Sequence, residues 1–219
     1  MGSTRLPGKV LKPLAGQPVL THVVKRVLTA SQIDDVVVAT STEPADNAIE
    51  TFCNEHGWQC IRGSEKDVLA RYAKAARIAR ADVVVRITSD CPLFSPRVLD
   101  DMQDRFDPEQ MDYMSTNYPT RSFPVGLDCE IMRTDALLRA DADAKNPYDR
   151  EHVTPYLYNN PDLFRVHGFA NDQDLQDVRI TLDTAEDYDR LLQLMIEHPE
   201  LANPDQDVLD VVKTYFQVS

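Results

Sequence analysis

The residues best equipped for chemistry in this 219-residue chain lie at its start. Gly2-Ser3-Thr4-Arg5-Leu6-Pro7-Gly8-Lys9 gathers two glycines, two hydroxyls and two cations in one short loop. Glycines let the backbone amides come close to a ligand, and amides, hydroxyls and cations together suit a polyphosphate. The spacing is neither GxxxxGK[ST] nor GxGxxG, so composition alone leaves a flexible basic N-terminus open as the other reading. Further along, Asp90 and Asp183 each follow an apolar, β-branched run, at 83–87 and 178–182. Two carboxylates at strand ends can converge on one Mg²⁺, an ion that takes few protein oxygens and keeps phosphate oxygens and water for the rest. Each also precedes a helical stretch, and helix capping is the plain alternative.

The elements that must position these groups alternate along the chain. After the loop, Val19, Leu20, Val23, Val24, Val27 and Leu28 form a helical stripe, with Lys25 and Arg26 on the solvent side. A glycine-bearing loop that runs into a helix makes an anion cradle, because amides and helix dipole point the same way. Asp35-Val36-Val37-Val38-Ala39-Thr40 reads as a buried parallel strand, 45–56 as a helix opened by Pro44, and Gln59-Cys60-Ile61 as a brief strand left by a turn at 62–64. Helix at 67–80, strand at 83–87 and helix at 96–106 continue the pattern. Strands at 111–115, 129–132 and 178–182 and helices at 134–144, 149–159, 185–197 and from 205 onward complete it. Such alternation with short connections predicts an α/β fold with a mostly parallel sheet and helices on both faces. The strand ends carrying Asp90 and Asp183 fall where open α/β sheets bind ligands. The Pro-, Ser- and Thr-rich stretch 117–128 reads as a loop over the site.

A net charge of −13 and a pI near 4.7 argue against nucleic acid or an anionic membrane as the main partner. An anionic substrate needs only local cations, as at Arg5, Lys9 and Lys12. No apolar run approaches membrane-spanning length and no signal-peptide core opens the chain, which predicts one soluble cytoplasmic domain over residues 1–219. Cys53, Cys60, Cys91 and Cys129 lack metal or CxxC spacing and read as reduced core thiols. The five histidines form no metal pattern. Asp141-Ala142-Asp143 has the DxD form of metal-dependent glycosyltransferases, but inside a helical stretch it reads as a solvated face.

The opening loop, with Pro13-Leu14 and Gly16-Gln17-Pro18-Val19-Leu20 behind it, resembles the signature loop of the cytidylyltransferases, above all the spore-coat polysaccharide (SpsF-type) branch. The sugar-acid enzymes that make CMP-3-deoxy-octulosonate share a shorter form. Matching stretches follow in the same order at 67–72, 85–93, 126–128, 150–156 and 182–187. The resemblance implies a single-domain, Rossmann-like, nucleotide-diphosphosugar-transferase-like fold. It implies transfer of CMP from CTP to a small acceptor with release of pyrophosphate. Gly2, Ser3, Thr4, Arg5 and Lys9 would hold the triphosphate, and Asp90 and Asp183 the Mg²⁺, with Arg5, Lys9 and Asp90 carrying catalysis. Ala39, Thr40, Ser41, Arg62, Gly63 and Asp67 would lie at the nucleobase. Asp67 reads equally as a helix cap paired with Arg71 at i,i+4 spacing. Asn117, Asp128, Arg150, Glu151 and His152 would face the acceptor, a sugar, sugar acid, phosphate or phosphonate. The expected partners are CTP and that acceptor, with no nucleic acid and no membrane, and a homodimer stays open as the assembly.

The chain departs from its relatives in one respect. They carry a hydrophobic strand immediately before this loop, ending in Gln-Ala-Arg or a near equivalent, and here the loop comes first. That strand is central in the relatives' sheet, and its last Arg helps hold the triphosphate. A late start codon, a shortened piece and a degraded copy are all compatible with the sequence, and the expectation is a sheet lacking its first central strand. Two other functions stay open: a GT-A-type glycosyltransferase, and a non-catalytic nucleotide-binding or partner domain.

Overall fold

The loop is set by its glycines and by a hairpin. Gly8, at φ 71°, turns the chain into a short 3-10 segment, Lys9–Leu11. Then β1 (Pro13–Leu14) and β2 (Gln17–Pro18) pair antiparallel across Ala15 and Gly16, both with positive φ. Two such residues in succession give the turn whose twist suits a two-residue hairpin. The computed structural model describes residues 1–2 and 5–216, so the expected ligand contacts of Ser3 and Thr4 lie outside the described residues.

The hairpin delivers the chain into α1 (Val19–Thr29), whose stripe Val19, Val23 and Val27 enters the main core. Arg26 does not face solvent as its position on the stripe suggests: it is 1% exposed. Its guanidinium donates to five carbonyls, those of Leu201, Gln206, Pro204, Asn203 and Phe94, at 2.6–3.5 Å. Burial lowers its pKa to about 10, which leaves it charged at neutral pH, and the surrounding carbonyl oxygens offset its lost hydration.

Two sheets follow. β3 (Val37–Ser41) and β4 (Gln59–Gly63) pair in parallel, joined by α2 (Asn47–Glu55). The strand at 59 therefore runs on through Arg62 and Gly63, where a turn was expected. From α3 (Val68–Ala79) the chain enters the second sheet at β5 (Val83–Arg86), and α4 (Pro96–Arg105) leads on to β6 (Tyr113–Ser115) and β7 (Glu130–Arg133). With β8 (Val166–Gly168), which the sequence did not announce, the order is β5-β7-β6-β8. β7 is antiparallel to both β5 and β6, while β6 and β8 are parallel. The α/β class holds, but the sheet is mixed, because the 117–128 loop returns the chain alongside β6 instead of crossing over a helix.

Residues 178–182 bury Val178, Ile180 and Leu182 as an alternating strand should. They form no ladder, only a bridge to Val125 through Val125 N–H to Val178 O at 2.9 Å and Ile180 N–H to Val125 O at 2.8 Å. The single helix expected at 149–159 divides into α6 (Pro147–His152) and α7 (Pro155–Tyr158) at Val153, which has φ 75°. Pro155 prevents a continuous ladder. α5 (Thr134–Asp143), α8 (Ala185–Glu197) and α9 (Val208–Tyr215) keep the expected places. Among the described residues no helix is long and apolar enough to cross a membrane.

The two sheets do not join. Among the described residues no strand pairs with the free edges of β3 and β5. Between them lies a slot of about 630 Å³, lined by Val37, Val38 and Ala39 from β3, by Val83, Val85 and Ile87 from β5 and just after it, and by residues of α1 and α3. Val83 is 36% exposed and Val37 and Val38 are half-buried, although all three read as buried strand residues. The interruption falls where the expected sheet lacks its central member.

Candidate active site

The two strand-end aspartates converge. Leu182 N–H donates to Asp90 O at 2.8 Å and the Thr181 hydroxyl to the same oxygen at 3.1 Å, tying together the chain ends that carry Asp90 and Asp183. Neither aspartate caps a helix: Ser95 caps α4, and Thr184 caps α8 in a capping box with Asp187. The carboxylates turn instead toward Lys9, whose Nζ lies 2.9 Å from Asp90 Oδ2, 2.9 Å from Asp183 Oδ1 and 2.7 Å from Leu182 O. The Thr88 hydroxyl donates to the other Asp90 oxygen at 2.5 Å. Arg179 donates to the other Asp183 oxygen at 2.8 Å, and Arg5 lies 3.2 Å from Oδ1. Burial alone would raise the Asp183 pKa; the hydrogen bond and charge of Lys9, then Arg179 and Arg5, outweigh it and hold the carboxyl below its ordinary range. Cys91, beside Asp90, is pushed up by burial and by Asp90 and Asp128, so it is a buried thiol and no nucleophile.

The loop expected over the site closes on it from one side. Gly126 packs so tightly on the 178–182 segment that a Cβ there would stand 2.7 Å from Ile180 C and Thr181 N, at φ 114°. Asp128 follows, accepting from Gly126 N–H at 3.0 Å and from the Arg121 guanidinium. Asn117 is exposed, and its side-chain oxygen accepts from the Thr116 hydroxyl at 3.0 Å. Arg121 Nη1 is buried without a hydrogen-bond partner among the described residues, a donor available to an anionic ligand.

The residues expected at the nucleobase gather at the carboxyl ends of β3 and β4, mostly engaged with one another. The hydroxyls of Thr40 and Ser41 donate to Asp46 Oδ2 at 2.7 and 2.6 Å, and Met1's amino group pairs with Oδ1. Arg62 reaches Ser41 O at 2.8 Å, Glu50 at 2.8 Å and Glu43 O at 3.0 Å. Gly63 lies under Arg71: a Cβ there would stand 2.6 Å from Arg71 Cγ. Arg71 reaches Ala39 O at 3.5 Å, while its Nε is buried without a partner among the described residues. Gly2 sits by Glu65, 3.1 Å from where its Cβ would be.

Asp67 and Arg150, expected in different subsites, bind each other. Asp67 caps α3 through Ala70 N–H at 3.0 Å and accepts both Arg150 Nε at 2.9 Å and Nη2 at 2.7 Å. The ion pair anticipated with Arg71 is thus made with Arg150, which also reaches Asp141 Oδ1 at 2.9 Å. Glu151 and His152 are exposed, the His152 ring lying tilted against Tyr148 at 4.3 Å between ring centroids. The structure therefore brings together Arg5, Lys9, Asp90, Asp183 and the Asp128 loop, and does not bring Arg150, Glu151 and His152 to them. Asp141, the first aspartate of the DxD, pairs with Arg77 and Arg150, so that motif serves packing. Arg71, Arg121 and Arg179 were missed as site residues; strand alternation gave Arg179 no inward role, and nothing in the 117–128 composition marked Arg121.

Two carboxylates and the Leu182 carbonyl already converge on one cation, the Lys9 ammonium. This all-oxygen set suits a hard divalent ion that completes its shell with phosphate and water. Among the described residues no third acidic, His or Cys side chain joins them.

The family model for cytidylyltransferases matches residues 1–210. The chain belongs to the cytidylyltransferase family. This cytidylyltransferase is 40% identical over 206 residues to the protein MJ1063 of Methanocaldococcus jannaschii, covering 93% of this chain and 83% of that one. It is 36% identical over 202 residues to the spore coat polysaccharide biosynthesis protein SpsF of Bacillus subtilis, covering 89% and 82%. A solved cytidylyltransferase from Leptospira borgpetersenii superposes with a TM-score of 0.91 at 32% identity, over 99% of this chain and 90% of that one. A CMP-2-keto-3-deoxy-manno-octonic acid synthetase solved with CTP shares the fold, with a TM-score of 0.66 at 19% identity over 90% and 95%. The cytidylyltransferases are enzymes, and the glycosyltransferase alternative falls away.

Proposed function

We propose that this cytidylyltransferase transfers CMP from CTP to a small sugar, sugar-acid, phosphate or phosphonate acceptor, releasing pyrophosphate, in the cytoplasmic synthesis of a surface polysaccharide or glycoconjugate precursor. The observation that carries this is the convergence of Asp90 and Asp183 on the Lys9 ammonium, with Arg5 of the same loop beside them. Asp90 and Asp183 would hold a Mg²⁺, which when bound supplies charge neutralisation at the phosphates. Arg5, 63% exposed at its side chain, is free to move from Asp183 onto phosphate oxygens. The amides of Gly2 and Gly8 can approach those oxygens closely. Ala39 to Ser41, with Arg71 across Gly63, would border the base. Asn117, Asp128 and Arg121 would orient the acceptor so that its oxygen faces the α-phosphorus in line with the leaving pyrophosphate. Positioning and charge account for the catalysis, with little covalent work for the protein. Arg179 keeps Asp183 aimed inward.

The slot beside β3 supports a second reading, a domain that binds nucleotide without turning it over. Calorimetry with CTP, UTP, GTP and ATP in Mg²⁺, followed by an acceptor screen that detects pyrophosphate, separates the two. CTP should bind tightest and some anionic or sugar acceptor should release pyrophosphate. Tighter binding of ATP or GTP would overturn the nucleotide, and CTP binding with no release across the screen would favour the second reading.

A further inference from the structure

Lys9 is engaged at every proton it carries. Its ammonium meets Asp90 Oδ2, Asp183 Oδ1 and Leu182 O, all within 2.9 Å, and its side chain is only 14% exposed. A lysine posted to wait for phosphate would keep its head in solvent; this one occupies the point where both carboxylates aim. We propose that the Lys9 ammonium is the resident counter-ion of the Asp90–Asp183 pair and competes with a divalent cation for it, so that entry of the cation releases Lys9 into the loop.

Three features make the exchange feasible. The lysine stem has four flexible carbons, so its head can travel several ångströms while the backbone stays fixed behind Gly8. Asp183 keeps Arg179 and Arg5, and Asp90 keeps the Thr88 hydroxyl, so neither carboxylate is stripped of partners when Lys9 leaves. The oxygens that accept the three ammonium protons are the hard donors that Mg²⁺ or Mn²⁺ takes, and a divalent ion supplies twice the charge there. Lys9 is on this account a positioning residue: it holds the two carboxylates together and sets how much cation is needed to load the site. The inference rests on the reading of Asp90 and Asp183 as metal ligands.

Mn²⁺ alone, with no nucleotide, tests it. Binding is measured by electron paramagnetic resonance on the wild type, Lys9→Met, Lys9→Gln and Asp90→Asn. With the competitor removed, both Lys9 variants should bind Mn²⁺ about tenfold tighter or better, and Asp90→Asn should bind far more weakly. Should the Lys9 variants fold poorly, the wild type carries the test alone. Mg²⁺ should then speed acetylation of Lys9 relative to Lys12, as read by mass spectrometry. Mn²⁺ binding that Asp90→Asn weakens but the Lys9 variants leave unchanged, or Lys9 acetylation indifferent to Mg²⁺, overturns the competition alone. Binding that Asp90→Asn leaves untouched overturns the metal reading and this inference with it.

Discussion

An apolar segment of about six residues joined ahead of Met1 should raise the melting temperature of this chain substantially. Met1 lies beside the end of β3: its amino group pairs with Asp46, which binds Thr40, and its side chain packs against the cluster of Val10, Leu20, Val24, Ile49 and Cys53 that Val36 and Val38 also border. In each of the two facing strands alternate residues turn both N–H and C=O away from their existing partner, about two per strand. A strand laid between them would form about six hydrogen bonds, each contributing a net ~1 kcal/mol. Burial of its side chains against the valines of β3, β5 and α1 roughly offsets the cost of ordering the segment. The gain is on the order of 5 kcal/mol, and in a domain of this size each kcal/mol moves the midpoint by about 2–4 °C. We therefore expect a rise of about 10–20 °C by differential scanning calorimetry, with tighter CTP binding by titration calorimetry. The control is a Gly/Ser segment of the same length. The reasoning fails if that control raises the midpoint as much, or if the apolar segment leaves both quantities where they were.

Three further outcomes follow from the site and the sheet. Asp90→Asn and Asp183→Asn should each lower turnover by about two orders of magnitude or more while the midpoint shifts by only a few degrees, since neither residue caps a helix; full activity in Asp90→Asn would end its role. Gly126→Ala forces a Cβ against the backbone of Ile180 and Thr181 at a φ that only glycine adopts easily, and should cost about 3 kcal/mol or more, seen as a lower urea midpoint; an unchanged midpoint would show that the loop yields freely. The Asp112 carboxyl is held below its ordinary value, first by hydrogen bonds from the Arg165 side chain. A depressed folded pKa contributes stability above the unfolded value, near 3.8, and loses it as pH falls through the folded value. Asp112→Asn should therefore remove part of the acid limb of the stability profile below about pH 4 and leave its neutral-pH slope alone.

What could be read from the sequence was what depends on local pattern. The stripe Val19, Val23 and Val27 gave α1 its bounds, and the β-branched run before Asp90 gave β5 and the strand end. Convergence of Asp90 and Asp183 was legible because each ends an apolar run, and in an open α/β sheet such ends share one edge. What depends on partners distant in the chain was hidden. Nothing in Glu130 to Arg133 says that it inserts antiparallel between β5 and β6, since a buried strand looks alike in either direction. Arg26 looked solvent-facing because its carbonyl partners at 201–206 lie at the other end of the sequence. Arg150 and Asp67 fell into different expected subsites although each is the other's nearest charge. The turn at Ala15-Gly16 did carry a signal, a glycine between two short extended pairs, too brief to stand out beside α1.

The hub at Arg26 makes the far end of the chain a splint for its beginning. Five carbonyls, four of them from 201–206, hold one guanidinium on the helix that emerges from the loop of Arg5 and Lys9. In hydrogen-exchange terms, amides of α1 and of the 199–207 stretch should therefore open together as one unit. A protease cut anywhere in that stretch would free the carbonyls, strand a buried cation, and loosen the phosphate loop from a distance.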